Sequence, residues 1–464
     1  MKHILSAACL SLCTVCTVAQ TNITPEVLKS LESQPTSASD RAISNAIQNN
    51  SLSGMARQNN NPSAQDTYFS IDICNKGITD QKSSGRCWLF TGLNVLRHAA
   101  AKKMKHEGLM FSQVYLFFYD QLEKSNLFLQ AIIDTRKQPL ESQKVQWLMK
   151  NALSDGGTYT GVADLVSKYG VIPSDVKPET YVSNSTSEFN THLECKLREI
   201  AINIREKAAT GASVKQLEQY KMEQMKTIYH MLTLAYGQPV KEFTWAPRDD
   251  KGRYKSEPRK YTPQEFYQEW CQDAGNLQTD YIMLMNDPSR EYNKVYEIDM
   301  DRHMYNGHNW LYLNLDIKDL EKCAIASLRD SVQMYFSCDV GKYLNKSNGL
   351  LDPKNFDYES LLGTRFGMTK KQRIQTLDSG SSHAMTLVAV DLDKDGNATK
   401  WKVENSWGPS YGHNGYLIMT EEWFREYMFR VVVNKKYIPQ DIMKLTTQKP
   451  IMLPAWDPMF STEE

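Results

Sequence analysis

The 464-residue sequence predicts an α+β protein with a mainly helical first half and an antiparallel β-sheet in its second half. In the first half, apolar residues recur at helical spacing, as at Leu89, Leu93 and Leu96. From residue 383 onward, short apolar or alternating runs are separated by turn residues such as Gly396, a pattern typical of antiparallel strands. Because the two halves differ in this way, we expect two lobes with a cleft between them.

The composition argues against a nucleic-acid binder, although it leaves room for a local basic patch, and excludes an integral membrane protein. The 54 basic residues balance the 54 acidic ones, whereas a nucleic-acid-binding chain needs an excess of Lys and Arg. We therefore expect no nucleic-acid partner. No apolar run reaches the roughly 18–20 residues that a membrane helix requires, so we also expect no membrane span.

The first 19 residues have the layout of a secretory signal peptide. Lys2 gives a positive start, a mildly apolar stretch follows, and small residues precede Gln20. The alternatives are a buried N-terminal helix and a lipoprotein anchor at Cys9, which has too short an apolar stretch before it. We expect residues 1–19 to direct export to the periplasm or outside the cell.

The cysteines indicate neither a disulfide scaffold nor a metal site. Removal of residues 1–19 leaves six cysteines, which are Cys74, Cys87, Cys195, Cys271, Cys323 and Cys338. Export permits disulfides, but these six are far apart, and none belongs to a cluster with the spacing of zinc ligands. We therefore expect no metal and no cofactor.

The helical elements come first along the chain. Residues 20–66 are rich in Asn, Ser, Gln and Pro and predict one or two weak helices and a linker. Helices follow over 88–105 and 110–122, and the second is apolar on nearly all sides and should be buried. Residues 190–234 predict two helices separated by Thr210-Gly211, whereas 237–300 has no clear period.

The β elements dominate the rest. A strand is expected over 308–318 and a helix over 320–332. Four strands and one short helix are then predicted, at Met385–Val390, Lys400–Glu404, Gly415–Thr420, Glu421–Tyr427 (the helix) and Phe429–Val433.

Cys87 is the first candidate for chemistry. It follows a loop containing Gly85 and opens an apolar-periodic helix. A thiol at a helix N-terminus faces unpaired backbone N–H groups and the positive end of the helix dipole, and both favour the nucleophilic thiolate. The alternative is a small buried cysteine that packs the start of the helix.

Two further segments complete a possible catalytic group. His383 leads an apolar strand, so its backbone is held while its imidazole can take a thiol proton and return it to a leaving amine. Asn405, in Asn-Ser-Trp-Gly, can accept from the imidazole N–H and fix the tautomer, and Trp407 can shield that bond from water. Taken singly, each segment also fits a structural histidine or a turn with a packed tryptophan.

Together, these segments resemble the papain-like cysteine peptidases, which share the order Gln, Cys-Trp, His, Asn-Ser-Trp-Gly. Gln81 lies six residues before Cys87, where its side-chain amide and the Cys87 N–H can form an oxyanion hole. His383 follows Cys87 by 296 residues, against about 130–150 in ordinary members. We therefore expect an insertion of about 150 residues, mainly helical, in the papain-like scaffold.

The enlarged spacing and several further stretches resemble the bleomycin hydrolase and aminopeptidase C family, over about Ile78 to Met459. These stretches are Phe111-Ser112-Gln113, Tyr115–Phe118, Asp155-Gly156-Gly157, Lys168–Pro173, Asn286-Asp287-Pro288, Cys338–Lys342 and Leu453–Met459. Members of that family are usually cytoplasmic, so the signal peptide (1–19) predicted from the residues departs from it. After an extension (20–66), the resemblance implies a peptidase domain (67–464). Within that domain it implies a helical lobe (about 78–185), an insertion (about 186–305), a β lobe (about 306–450) and a C-terminal arm (451–464).

The resemblance also implies the roles of the residues. Cys87 matches the nucleophile, His383 the base, Asn405 the orienting amide and Gln81 the oxyanion donor. Gly156 and Gly157 match a pair whose bare backbone hydrogen-bonds an extended substrate. The family forms homohexameric rings, and its members act on peptides with a free N-terminus.

In that family, a C-terminal arm closes the non-primed side of the cleft, so single residues are removed from a free amino terminus. Here the arm ends in Phe460-Ser461-Thr462-Glu463-Glu464, a larger and more acidic end than usual. Glu464 could attract the substrate ammonium, or the tail could plug the cleft until it is trimmed. The alternatives to a cysteine aminopeptidase are a papain-like endopeptidase and a catalytically dead papain-fold scaffold.

Overall fold

The structure is a computed structural model that describes residues 22–32, 37–249 and 251–457. The predicted signal peptide and Glu464 lie outside these residues. The chain divides into two compact units. One comprises Met1–Arg57 with Tyr358–Gly363, and the other comprises Gln58–Asp357 with Thr364–Glu464.

The smaller unit is helical over its described residues. Its helices are α1 (Pro25–Glu32), α2 (Ala38–Asn49), α3 (Leu52–Ala56) and α12 (Tyr358–Leu362). Ser37 and Asp40 form a reciprocal capping box at the start of α2, which satisfies two backbone N–H groups there. The sequence predicted one or two weak helices in 20–66, and three α-helices are present in the described part.

The larger unit carries the remaining helices. They are α4 (Cys87–Met104), α5 (Gln113–Asp134), α6 (Gln143–Lys150), α7 (Tyr159–Tyr169), α8 (Ser187–Ala209), α9 (Val214–Tyr236), α10 (Pro263–Trp270), α11 (Ile317–Arg329), α13 (Lys370–Gln375), α14 (Glu421–Tyr427) and α15 (Gln440–Leu445). Short 3-10 turns lie at Pro62–Gln65, Gln272–Ala274, Pro353–Asn355 and Lys435–Tyr437.

The strands of this unit form a sheet of twelve described strands and a separate hairpin. They are β1 (Ile71–Asp72), β2 (Phe243–Trp245), β3 (Arg259–Tyr261), β4 (Tyr281–Met285), β5 (Lys294–Ile298), β6 (Leu311–Asn314), β7 (Met334–Cys338), β8 (Leu344–Asn345), β9 (Leu350–Leu351), β10 (His383–Leu392), β11 (Ala398–Glu404), β12 (Tyr416–Thr420), β13 (Met428–Asn434) and β14 (Ile451–Leu453). The sheet runs β14-β5-β6-β4-β13-β7-β10-β11-β12-β9-β8, with β1 on β10, and β2 pairs with β3. The α+β class predicted from the sequence is confirmed.

Helix α5 begins later and ends much later than the range predicted from its sequence, 110–122. Ser112 caps its start by accepting from the Tyr115 N–H at 3.4 Å, so residues 110–112 remain outside the helix. The helix continues to Asp134 even though Asp120 and Glu123 interrupt the apolar run. Asp120 pairs with Lys124 of the same helix and with the distant His303, and Glu123 pairs with Lys168 of α7. A local pattern cannot reveal the partners from other elements.

Helices α8 and α9 confirm the prediction of two helices separated by Thr210-Gly211. A capping box of Ser213 and Gln216 starts α9. The range 186–305, expected to be mainly helical, also contains β4 and β5, which belong to the main sheet. The helical part of that range therefore ends at Trp270.

The pairing register places the ends of several strands at the same edge of the sheet. His383 at the start of β10 pairs with Cys338 at the end of β7, which in turn pairs with Met428 at the start of β13. The Asn286 N–H, just past β4, donates to Phe429 O at 2.9 Å. His383 and Asn286 therefore lie at the same end of the sheet, three strand spacings or about 14 Å apart.

Candidate active site

Cys87 is the first residue of helix α4, as the sequence indicated. Its side chain is fully buried, yet its surroundings include polar groups. The Ala384 N–H, next to His383, points to the Cys87 Sγ at 3.5 Å. The fold therefore brings together two segments that are 297 residues apart in the chain.

His383 is held by the segment that follows strand β11. Its Nε2 lies 2.8 Å from Asn405 Oδ1, which also accepts from the Ser406 N–H at 2.8 Å. The indole of Trp407 covers the imidazole, with ring centroids 4.7 Å apart. Burial lowers the pKa of His383 to about 4, and the hydrogen bond with Asn405 opposes this shift. The imidazole is therefore neutral near pH 7.

The loop that carries Gln81 is fastened to the same segment. The Gln81 N–H donates to Ser406 O at 2.8 Å, and the Ser406 hydroxyl donates to Gln81 Oε1 at 2.6 Å. The Gln81 side-chain amide donates to Ser84 O at 2.6 Å. Lys82 adopts a left-handed backbone, with φ of 56°, which turns the chain after Gln81. Gln81 is thus fixed between the Cys87 loop and the Asn405 segment.

Arg86, directly before Cys87, is a buried cation that the sequence did not single out. Its guanidinium pairs with Glu179 at 2.6 Å and lies about 5 Å from the ring centroids of Phe90 and Phe117. The carboxylate of Glu179 also accepts from the Val114 N–H at 2.9 Å. Helix α4 is therefore anchored at its start by an ion pair and by aromatic packing.

Asp155 connects the Cys87 loop to the glycine pair. Its carboxylate accepts from the Gly85 N–H at 2.8 Å and from the Thr186 hydroxyl, and its backbone oxygen accepts from the Trp88 indole at 2.8 Å. Gly156 and Gly157 follow directly. A Cβ at Gly157 would lie 2.2 Å from an atom of His303 and 2.7 Å from Trp88, so only glycine fits there.

Beneath this backbone lies a buried network of Asp120, His303 and Lys124. His303 Nδ1 lies 2.5 Å from Asp120 Oδ1, and its Nε2 accepts from the Thr158 N–H at 3.2 Å. Lys124 pairs with Asp120 at 2.9 Å and donates to Gly156 O at 2.5 Å. Burial lowers the pKa of His303, so its imidazole is neutral and can accept from Thr158.

The network as a whole cannot be recognised in the sequence, because its members belong to different predicted regions. Asp120 and His303 are 183 residues apart. The detectable sign was a pair of charged residues, Asp120 and Lys124, one helical turn apart in an otherwise apolar helix. Within residues 22–32, 37–249 and 251–457, no group of three or more His, Cys, Asp or Glu side chains is placed to hold a metal ion.

The chain matches the model of the Peptidase C1-like family over residues 22–460. It belongs to the Peptidase C1-like family. The chain is 42% identical to the bleomycin hydrolase of Homo sapiens over 397 residues, which is 84% of this chain and 87% of that protein. It is 35% identical to aminopeptidase C of Lactobacillus delbrueckii subsp. lactis over 420 residues, 89% of this chain and 92% of that protein.

The fold agrees with a solved structure. The crystal structure of PepW from Lactobacillus rhamnosis HN001 superposes with a TM-score of 0.90 at 35% identity, covering 95% of this chain and 99% of the other. The resemblance drawn from the sequence motifs and the papain-like fold class are therefore confirmed. By family, the chain is a cysteine peptidase.

Proposed function

We propose that the protein is a cysteine aminopeptidase that removes residues from peptides with a free N-terminus, with activity like that of bleomycin hydrolases. The observation that carries the proposal is the convergence of three segments: Cys87 Sγ lies 3.5 Å from the N–H of Ala384, the neighbour of His383, and His383 Nε2 lies 2.8 Å from Asn405 Oδ1. The relatives named bleomycin hydrolase and aminopeptidase C support the substrate class.

The proposed reaction has two steps. In the first, the Cys87 sulfur attacks the scissile carbonyl carbon, and His383 takes the thiol proton. Because His383 Nε2 faces Asn405, Nδ1 is the nitrogen available for that proton. The C–N bond then breaks, and His383 gives the proton to the departing amine. In the second step, water gives a proton to His383 and its oxygen attacks the thioester, which releases the acid and restores the thiol.

The oxyanion of each tetrahedral intermediate needs two donors. The Cys87 N–H belongs to the first turn of α4, where backbone donors lack helical partners. The second donor is the side-chain amide of Gln81, which has two N–H bonds. One of them donates to Ser84 O, and the other remains available for the oxyanion. The two hydrogen bonds with Ser406 hold Gln81 in place for this role.

The remaining proposed contacts concern the substrate backbone and the exclusion of water. Gly156 and Gly157 present backbone without a Cβ, which lets an extended peptide approach closely. Trp407 covers the hydrogen bond between His383 and Asn405 and keeps water from competing for it.

We place the selectivity for a free N-terminus in the arm 451–464. Strand β14 pairs in parallel with β5, and Arg290 then holds Asp457 at 2.5 Å while also holding Asp287 at 2.6 Å. Asp287 follows Asn286 at the His383 end of the sheet. Seven residues follow Asp457 and span up to about 23 Å when extended, which exceeds the 14 Å between Asn286 and His383.

Acidic Glu463 and Glu464 in that segment suit a substrate ammonium. The test is a truncation after Asp457, which keeps the contact with Arg290. We expect the truncated enzyme to cleave N-acetylated peptides that the full chain leaves intact. Arg290→Met, in the full chain, should give a smaller change in the same direction. Unchanged discrimination in both variants would remove the arm from the proposal.

The primary test compares aminoacyl-4-nitroanilides that have free and N-acetylated amines. The full chain should cleave the free-amine substrate and Cys87→Ala should not. Faster cleavage of the acetylated substrate would favour the endopeptidase alternative. Rapid alkylation of Cys87 by iodoacetamide at mildly acidic pH separates an activated thiol from a dead scaffold, since an ordinary thiol is protonated there.

Two further properties belong to the proposal. We expect a homohexamer, to be measured by sedimentation equilibrium on the purified protein. We also expect export through residues 1–19, so that the mature chain starts at Gln20, which N-terminal mass spectrometry would show. Among the described residues, the structure contains no helix that is long and apolar enough to cross a membrane.

A further inference from the structure

A cavity of about 620 Å³ opens beside the proposed catalytic group. One side is the loop Ser83–Gly85, which leads into Arg86 and Cys87. The segment Ser154–Thr158, which contains the glycine pair, also lines the cavity. The cavity therefore adjoins both the nucleophile's loop and the backbone proposed to bind the substrate.

This position determines which part of a substrate can enter. The residue whose carbonyl is attacked has its Cα next to Cys87, and its backbone runs along Gly156 and Gly157. Its side chain must therefore point to solvent or into a cavity that borders both segments. In an aminopeptidase this residue is the N-terminal one, so the inference rests on the proposed function.

Helix α8 also lines the cavity, and Asn190 is the buried polar side chain that it contributes. Its side chain is 8% exposed, and its Oδ1 has no hydrogen-bond partner among the described residues. A buried polar atom without a partner costs free energy, so native proteins rarely keep one without a use. The carboxamide of Asn190 offers an acceptor and donors to a ligand in the cavity.

The charges around the cavity do not favour a charged ligand. Its lining contains three cationic side chains, Lys124, Lys150 and Arg302, and three carboxylates, Asp155, Glu194 and Asp301. Lys124 is already bound to Asp120, Asp155 to Gly85 and Glu194 to Arg198. Arg302 donates to Asn309 at 3.3 Å, while its Nε has no hydrogen-bond partner among the described residues. The equal numbers of cations and carboxylates favour a neutral side chain over a charged one.

The lining combines small polar side chains, such as Ser84, Ser154 and Ser187, with a set of apolar side chains that suits a carbon stem. The apolar set consists of Leu127, Phe128, Trp147, Leu148, Ala152, Leu153 and Met300. A ligand that satisfies both the apolar walls and the Asn190 carboxamide has a methylene chain with a neutral tip that can donate and accept. Among the amino acids, glutamine has this combination at the greatest length.

We infer that the cavity binds the side chain of the substrate's N-terminal residue and that Asn190 makes it selective for a neutral carboxamide, glutamine first. Methionine has a similar length and no hydrogen-bonding tip, so it isolates the contribution of Asn190. Two hydrogen bonds between carboxamides in a site screened from water should raise kcat/KM for glutamine about tenfold over methionine.

The experiment measures kcat/KM of the full-length enzyme for the 4-nitroanilides of glutamine, methionine and lysine. Asn190→Leu should remove the glutamine advantage and bring the glutamine-to-methionine ratio of kcat/KM to about one. His192→Leu is the matched control, because it makes the same kind of change on the exposed side of α8 and should keep the ratio. Asn190→Ala removes the carboxamide without added bulk and should repeat the loss if leucine does not fit.

The outcomes separate the two proposals. A glutamine-to-methionine ratio near one in the wild type, or a ratio that Asn190→Leu and Asn190→Ala leave unchanged, overturns the role of Asn190 while the aminopeptidase stands. Lysine turnover above that of glutamine overturns the neutral selectivity. An absence of turnover for all three free-amine substrates overturns the proposed function and this inference with it.

Discussion

A buried ion pair joins the helix of Cys87 to the strand that ends beside Asn405. Arg97 in α4 donates to Glu404, the last residue of β11, at 2.6 Å, and their side chains are 2% and 0% exposed. Asn75 donates to the other carboxylate oxygen at 3.2 Å. The pKa of Glu404 is nevertheless raised, because burial outweighs the attraction of Arg97.

Replacing Glu404 by leucine would leave the Arg97 charge buried without its counter-charge. Such a loss typically lowers the free energy of unfolding by about 3–5 kcal/mol. The double variant Arg97→Met/Glu404→Leu removes both charges and should lose about 2 kcal/mol less than the sum of the single variants. It should not recover fully, because Arg97 also donates to Gly77 O at 2.8 Å.

The assay is urea denaturation of the four proteins, followed by tryptophan fluorescence and by circular dichroism. Lys322→Met is the control, because its ion pair with Asp319 is exposed and should contribute less than about 1 kcal/mol. A Glu404→Leu variant within about 1 kcal/mol of the wild type would refute the reasoning. So would a double variant that loses the full sum of the two single changes.

Two further predictions concern the site. Burial lowers the pKa of His383 to about 4, so in the Cys87→Ala variant the free energy of unfolding should fall as the pH drops from about 6.5 to 4, because only the unfolded chain takes up a proton there. Adding His383→Gln should flatten that part of the urea-denaturation profile, and an unchanged slope would contradict the shift. Gly157→Ala should raise KM and lower the unfolding midpoint, because the new Cβ meets His303, whereas Gly341→Ala, in open space, should change neither.

The segments that carry the proposed catalytic group were predictable because their motifs are local. Cys87 and the helix after it follow from apolar periodicity, and the predicted range 88–105 differs from the observed Cys87–Met104 by one residue at each end. The apolar run after His383 predicted a strand, and β10 begins at that residue. In these segments the local preference and the tertiary structure agree, so the sequence alone was sufficient.

The strands between 237 and 300 were not predictable, because partners distant in sequence decide them. Strands β4 and β5 have five residues each and lie beside β13 and β6. Five residues give too short a pattern to separate a strand from a buried turn of helix. The exact role of Ser406 was hidden for the same reason, since its hydroxyl meets Gln81 across 325 residues.

The region expected as an insertion contributes more to the site than its position in the sequence suggests. His303 lies 2.5 Å from Asp120 and accepts from Thr158, so it fixes the backbone after the glycine pair from below. Asn190 lines the cavity beside the same backbone. A papain-like scaffold without these residues would lack both this support and this part of the cavity lining. The segment expected as an insertion therefore both holds the glycine pair proposed to bind the substrate and lines the cavity proposed to select its N-terminal residue.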